Sequence, residues 1–292
     1  MAQPLESSRA FSISIIGGGL AGLLLAIGLS NRGTPFKIFE AAPSFSETSA
    51  GLGFGPNSVR AMAKLDPRIY GAFMKLKTEN KFEDKKNTWF DVRKGWENIP
   101  SWVTQVEMGE GGGGNVLRAS FLMELVKLLP PECAMFGKTL SDIDTRSDGS
   151  FNLLFEGGTS YDADAVVGCD GIRSRVRKVL FGQGFSDSAS KAVFSGTYLY
   201  RVVIEMQIAS EALGEELAAN SQIYMGQDCN VVTYPIEDGK LLNVIAFRRC
   251  DQEAWMHERW VVDSSEEELR SDFASMGACV QKIIKVHCSN KK

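Results

Sequence analysis

The run Gly17-Gly18-Gly19-Leu20-Ala21-Gly22 restricts the fold of this 292-residue chain more than any other feature. Ahead of it, Phe11 to Ile16 is a short β-branched and aromatic run. Behind it, Leu20, Leu23, Leu24 and Ile27 recur at helical spacing, so the glycines fall between a strand and a helix. Gly33 closes that helix, Phe36 to Phe39 predicts a second strand, and Glu40 stands at its end, 23 residues after Gly17. In such a βαβ opening Gly17 permits the tight turn, Gly19 lets backbone approach a pyrophosphate, and Gly22 lets helix pack close to strand. The helix N-terminus offers unpaired N–H groups and a positive dipole end to phosphates. Glu40 is placed to accept from adenosine ribose hydroxyls and to repel a 2′-phosphate, so the pattern points to NAD or FAD rather than NADP as the dinucleotide held here. The sequence lacks V-A-I-K and D-F-G, which excludes a kinase glycine loop.

Composition removes other classes. Thirty-two Lys and Arg against 36 Asp and Glu give a net charge of −4, which suits neither nucleic acid phosphates nor anionic lipid. Six cysteines form no C-x-x-C pair and only His257 and His287 accompany them, so no zinc or other metal site is expected. The cysteines read as buried thiols of a reducing compartment, and the expected location is cytoplasmic. Ala10 to Asn31 carries no charge and approaches the length of a membrane span. Glu6 beside Arg9 and the lack of a small-residue cleavage site argue against a signal peptide. The stretch reads better as buried strand, glycine turn and buried helix, with no membrane association.

Farther on, Gly51 to Ser58 reads as a glycine-rich loop feeding a helix from Asn57 to about Leu65. Ser120 to Leu129 predicts a helix stopped by Pro130-Pro131, and Lys138–Arg146 and Phe151–Phe155 predict a hairpin about Ser147-Asp148-Gly149. Ala163 to Cys169 reads as one apolar strand ending in Asp170-Gly171. Beyond Gly184 come longer strands, at Ala192–Ile204, Gln222–Met225, Val231–Ile236 and Leu241–Phe247, with Asp238-Gly239 as a hairpin signal. Glu79 to Val106 is expected to add strands to that sheet, and Gly109 to Gly114 to be a connector without chemistry. Ser264 to Glu267 reads as a capping box, followed by one helix through Leu269, Phe273, Met276, Val280 and Ile283. The first half alternates strand and helix while the second is mainly antiparallel sheet, which predicts a nucleotide domain and a sheet domain able to wall a substrate pocket.

Four features then stand in fixed order: Gly17–Gly22 with Glu40, the Gly51-Leu-Gly-Phe segment with Pro56-Asn57-Ser-Val-Arg60, Val116-Leu-Arg118 opening a helix, and Gly168-Cys-Asp-Gly171-Ile-Arg-Ser174. Together they resemble the class A FAD-dependent aromatic hydroxylases, in particular salicylate-hydroxylase-like enzymes and the fungal monooxygenases that tailor phenolic polyketides in secondary metabolism. The resemblance implies an α/β fold, with a Rossmann-like FAD-binding domain of the glutathione-reductase type and an antiparallel β-sheet substrate domain. It apportions residues 8–78 and 115–184 to the FAD-binding domain, 79–114 and 185–262 to the substrate sheet, and 263–292 to a C-terminal helix. The cofactor-binding residues it implies are Gly17, Gly19, Gly22, Glu40, Gly53, Arg118 and Asp170. Gly53 would contact the flavin through its backbone and Arg118 would reach the FAD near its phosphates, a task suited to an always-charged, forked guanidinium. Asp170 would brace the cofactor cleft and touch the nicotinamide donor. Arg173, Arg175, Arg177 and Lys178 read either as attractors of the donor's phosphates or as a solvated helix face.

Tyr200-Arg201 and Tyr234-Pro235-Ile236 match strands whose arginine and second tyrosine face the substrate in the phenol-dearomatising branch, so Arg201 and Tyr234 are the implied catalytic residues. Their chemistry is readable directly. The species that delivers oxygen is an electrophile, and a phenol attacks it far faster once ionised. An adjacent Arg⁺ lowers a phenol pKa of ~10 by about 1–3 units. Arg201 would hold the phenolate while Tyr234 orients it or relays its proton. The function implied is monooxygenation of a small phenolic or polyketide-derived aromatic substrate with FAD, NADPH or NADH, and O2. The family's third flavin motif, Gly-Asp followed by Ala-Ala-His, has no counterpart: the sequence holds no Gly-Asp dipeptide. The expectation is therefore a chain truncated at its C-terminal end relative to the family, and a catalytically inactive flavin or nucleotide binder stands as the alternative reading.

Overall fold

The computed structural model of the protein describes residues 11–45, 50–182, 190–251, 255–257 and 259–289. Gly184, where the sequence changes character, lies outside the described residues. The chain divides by packing into two units, Met1–Glu47 with Leu122–Ala192, and Thr48–Phe121 with Val193–Lys292.

The first unit holds a parallel sheet in the order Ala165–Gly168, Ile13–Ile16, Phe36–Phe39, Ala134–Met135. The helix Leu20–Ser30 links its two N-terminal strands, burying Leu23, Ala26 and Ile27 at helical spacing. The uncharged N-terminal stretch is thus explained by burial: Ile15, Leu23 and Ile27 are wholly enclosed. No described helix is long and apolar enough to cross a membrane. A three-stranded antiparallel sheet follows, Ser160–Ala163 beside Phe151–Phe155 beside Leu140–Thr145. Its hairpin turns at Gly149, φ +84°. Phe39 meets Phe155 and Tyr161, each at 4.9 Å between ring centroids. The strand expected over 163–169 is instead two. The chain leaves the antiparallel sheet after Ala163 and enters the parallel one at Ala165. At the junction the Asp164 carboxylate accepts from the Ser12 N–H (2.8 Å) and hydroxyl (3.2 Å).

The second unit is built on a six-stranded sheet in the order Thr197–Glu205, Leu241–Arg249, Cys229–Ile236, Gln222–Met225, Thr88–Lys94, Trp102–Glu107. All neighbours are antiparallel except Gln222–Met225 and Thr88–Lys94. Glu237 and Asp238, at φ +51° and +55°, make the turn that returns Cys229–Ile236 as Leu241–Arg249. One sheet face packs Tyr200, Ile204, Leu242, Val244 and Ala246 against Leu269, Phe273, Val280, Ile283 and Ile284. Each enclosed Leu, Ile, Val or Phe among them contributes roughly 1.5–3 kcal/mol. The opposite face carries Tyr234, Ile236 and Ile245 with Phe90, Leu117, Val203, Val232 and Phe247.

Three sequence expectations change here. Gly51–Phe54 is a strand, paired antiparallel with Gly114–Leu117, because that partner, some 60 residues on, is invisible to local patterning. The capping box is Ser265 with Glu268, one residue later than read, and both reciprocal bonds are made (3.1 and 2.8 Å). The single terminal helix is two, Glu266–Asp272 and Ala278–Ser289. Between them Gly277 donates to the Gly95 carbonyl at 2.8 Å, and a Cβ at Gly277 would lie 2.0 Å from the Glu97 carbonyl oxygen. The chain bends there because two backbones touch.

Candidate functional site

In the first unit the glycine turn is built by close approach. Gly17 has φ +105°, and a Cβ there would lie 2.4 Å from the Cys169 carbonyl oxygen. A Cβ at Gly22 would lie 2.0 Å from the Gly17 carbonyl oxygen. Only hydrogen fits at either place, so helix Leu20–Ser30 starts directly on the end of its strand. Gly19 is its N-cap residue, with no side-chain cap bond and no acidic residue in the first turn. The helix end therefore presents backbone donors and positive potential with no carboxylate of its first turn to neutralise them. Glu40 is on this turn: its Oε2 accepts from the Gly18 N–H at 2.6 Å and its Oε1 from the Ala42 N–H at 2.8 Å. The two glycine contacts, the uncapped helix end and the adjacent carboxylate form a cradle that fits an adenine dinucleotide.

Asp170 follows the strand Ala165–Gly168 beside that turn. Its Oδ1 accepts from the Ser174 hydroxyl (2.6 Å), and its Oδ2 from the Arg175 (2.6 Å) and Val176 (3.2 Å) N–H groups. It thereby caps the helix Arg175–Gly182 and stiffens the 170–176 segment. Two of the nearby basic residues are engaged within their own unit: Arg175 pairs with Asp142 at 3.2 Å, and Arg177 donates to the Ile172 and Ser190 carbonyls. Among the described residues no group of three or more His, Cys, Asp or Glu side chains is placed to hold a metal ion.

In the second unit Gly53 pairs with Asn115, and a Cβ on Gly53 would meet Asn115 Oδ1 at 3.0 Å, with Trp89 Nε1 at 3.9 Å. Arg118 is the first residue of the helix Arg118–Val126, and its N–H donates to the Ala50 carbonyl at 2.9 Å. The ribbon Gly51–Phe54 and the Arg118 helix start are thus joined at their bases.

Arg201 and Tyr234 lie on the same face of the six-stranded sheet. Arg201 pairs across its strand with Ile245, and Ile245 in turn with Val232, one row from the Tyr234–Asn243 pair. Arg201 is exposed whereas Tyr234 is 5 % exposed. Phe90 meets Tyr234 edge to face at 6.3 Å, and Trp89 stacks beside Phe90 at 6.0 Å. Burial pushes the Tyr234 hydroxyl up to about 12, while the Arg201 charge and the Asn243 amide pull the other way. One cation and one phenol on an apolar, aromatic surface can bind a flat anionic ring by its oxygen. Asn243, Asn115 and Trp89 escaped the sequence reading. A signal existed for Asn243: it is the single polar residue in the apolar run Leu241 to Phe247.

No family model matches the chain. Individual relatives do. The 6-methylsalicylate 1-monooxygenase atA of Aspergillus terreus is 42 % identical over 285 residues, covering 96 % of this chain and 63 % of the relative. A salicylate hydroxylase of Pseudomonas putida is 34 % identical over 285 residues, covering 93 % and 63 %. A solved salicylate hydroxylase in substrate complex superposes with TM-score 0.78 at 28 % identity, covering 96 % of this chain and 67 % of that one. The chain spans less than two thirds of the length of the curated relatives it matches, between 62 and 66 % for four fungal ones.

Proposed function

Over the length it shares with them, the chain belongs to the salicylate-hydroxylase-like FAD-dependent monooxygenases, and from that premise we propose that it takes part in hydroxylating a small phenolic acid with FAD, NAD(P)H and O2 in a cytoplasmic setting. When bound, FAD supplies the redox chemistry, accepting a hydride from the nicotinamide and activating oxygen. The chain supplies position and charge. Gly17 and Gly22 set the turn and the close helix–strand packing, Gly19 and the helix end hold the pyrophosphate, and Glu40 accepts from the ribose hydroxyls. Gly53 and Arg118 serve the remainder of the cofactor, and Asp170 keeps its segment rigid. Arg201 binds the phenolate oxygen of the substrate, favouring its ionised form by ~1.4–4 kcal/mol. The Tyr234 O–H donates to the same oxygen and so fixes which ring carbon faces the oxidant.

The observation that supports this reading is the placement of Arg201 and Tyr234 on one face of the six-stranded sheet, on strands flanking Leu241–Arg249 and one row apart. The test takes the purified 292-residue chain, records its visible spectrum after exposure to FAD, and follows NADH and NADPH consumption with and without salicylate. Bound flavin with salicylate-stimulated consumption is the expected result. Bound flavin with no turnover identifies an inactive flavin binder instead, and a colourless protein after reconstitution ends both readings. Glu40→Ala is expected to weaken FAD about tenfold, consistent with loss of charge-assisted hydrogen bonds.

A further inference from the structure

Asn243 is wholly buried, at 0 % exposure, in the middle of the strand Leu241–Arg249. Its amide is half used. Oδ1 accepts from the Gly51 N–H at 2.9 Å, which fixes the orientation of the amide because that backbone donor requires the oxygen. Nδ2, with two hydrogens to give, completes no hydrogen bond to the protein. Leaving a donor dry and unpaired is costly, and a purely structural anchor for Gly51 would need only an acceptor.

The direction in which Nδ2 is spent follows from the register. Asn243 stands directly across from Tyr234, the closest side-chain relation a sheet offers. Tyr234 and Asn243 also converge on Gly51: a Cβ there would lie 2.7 Å from Tyr234 Cε2 and 2.7 Å from Asn243 Cγ. The amide acts on the Tyr234 hydroxyl in the sense that favours negative charge on its oxygen, the sense of a donor. A tyrosine hydroxyl has one proton and two lone pairs. A donor occupying a lone pair leaves the proton to point elsewhere.

We propose that Asn243 is a positioning residue: its Nδ2 is the open donor that the register holds beside Tyr234, and by facing a lone pair of Oη it aims the Tyr234 O–H proton away from the sheet toward a bound phenolate, while its Oδ1 ties the same amide to Gly51. One side chain thus couples the tyrosine to the start of the glycine ribbon. This rests on the reading of Arg201 and Tyr234 as the phenolate site, and the test separates the two.

The full chain is labelled with 13Cζ-tyrosine, and the Tyr234 resonance among the six tyrosines is assigned by its loss in Tyr234→Phe. Asn243→Asp keeps an acceptor for Gly51 and removes the donor, whereas Asn243→Leu removes both. The expected result, without any substrate, is a displaced Tyr234 resonance in both variants with the other five in place. An unmoved Tyr234 resonance in folded Asn243→Asp overturns the proposal, whether or not Asn243→Leu folds. Salicylate affinity then supplies a double-mutant cycle. Asn243→Asp weakens binding about 3- to 10-fold beside Tyr234, the size of one hydrogen bond, and less than about 2-fold in the Tyr234→Phe background. Equal losses in both backgrounds mean that Asn243 acts through Gly51 alone, and the proposal fails. Should salicylate bind Arg201→Ala as well as the parent chain, the phenolate reading falls, while the resonance shift still decides whether Asn243 sets the Tyr234 hydroxyl.

Discussion

Tyr200 and Arg201 are consecutive on one strand and face opposite sides of the sheet, and Tyr200 on one side and Tyr234 on the other meet contrary surroundings. On the core side Tyr198 and Tyr200 both donate to Asp272 Oδ2, at 2.6 and 2.7 Å. Burial and then the carboxylate push both hydroxyls up, Tyr198 to about 12, and no cation opposes them. On the other side burial also raises Tyr234 to about 12, yet Arg201 and Asn243 pull against it, and no carboxylate among the described residues holds its proton. The same upward direction therefore has two meanings. An internal carboxylate commits the proton to the fold. A cation on the same sheet face pulls the other way and claims no proton. Neighbour charge, not burial, separates Tyr198 and Tyr200 from Tyr234.

This contrast can be broken from either side. Phe273→Ala opens the core face at a wholly buried ring and is expected to cost about 3–5 kcal/mol of stability. Stability from denaturant titration should fall by that amount while salicylate affinity of the folded fraction holds. Arg201→Ala should do the reverse: stability within about 0.5 kcal/mol and salicylate affinity down by ~1.4–4 kcal/mol, read by calorimetry. A loss of stability equal to that of Phe273→Ala would dissolve the distinction between the faces.

Asp272→Asn sharpens it. Two hydroxyls lose a charged acceptor, and a cost of about 1–3 kcal/mol is expected. The sign of its pH dependence follows from the raised tyrosines. A folded pKa above the unfolded value gives stability that is complete below pH ~10 and is lost as pH rises through the folded value, about 12 for Tyr198. Because burial keeps the hydroxyls raised in Asp272→Asn as well, the gap between parent and variant should narrow only as pH approaches the folded value of Tyr198, about 12, and a gap that narrows already near pH ~10 counts against the carboxylate as its source. Tyr198→Phe, with one of the two bonds removed, should cost least, about 0.5–1.5 kcal/mol. Its denaturant titration needs no ligand, and an unchanged midpoint would assign the pair to Tyr200 alone.

What could be read from sequence was whatever a short stretch determines by itself. The Gly17–Gly22 turn, the helix after it and Glu40 follow from local pattern because a tight turn needs glycine and a helix needs its apolar stripe. The Arg201 and Tyr234 strands were legible in the same way. Contacts made across sequence were not. Gly51–Phe54 is a strand only because Gly114–Leu117 arrives beside it. The bend at Gly277 exists only because the 95–98 turn lies against it. Asn243 stood out as a polar interruption, but its partners Gly51 and Tyr234 come from two other stretches of chain and needed the register to be seen.

The contact between the Gly17 carbonyl oxygen and the place a Gly22 methyl would occupy has a further consequence. A substituent there would wedge helix from strand before any nucleotide arrives, so the motif polices folding as well as recognition. Saturating amounts of cofactor should accordingly fail to rescue an alanine at position 22, and selection on this glycine would persist in a descendant that had abandoned catalysis altogether.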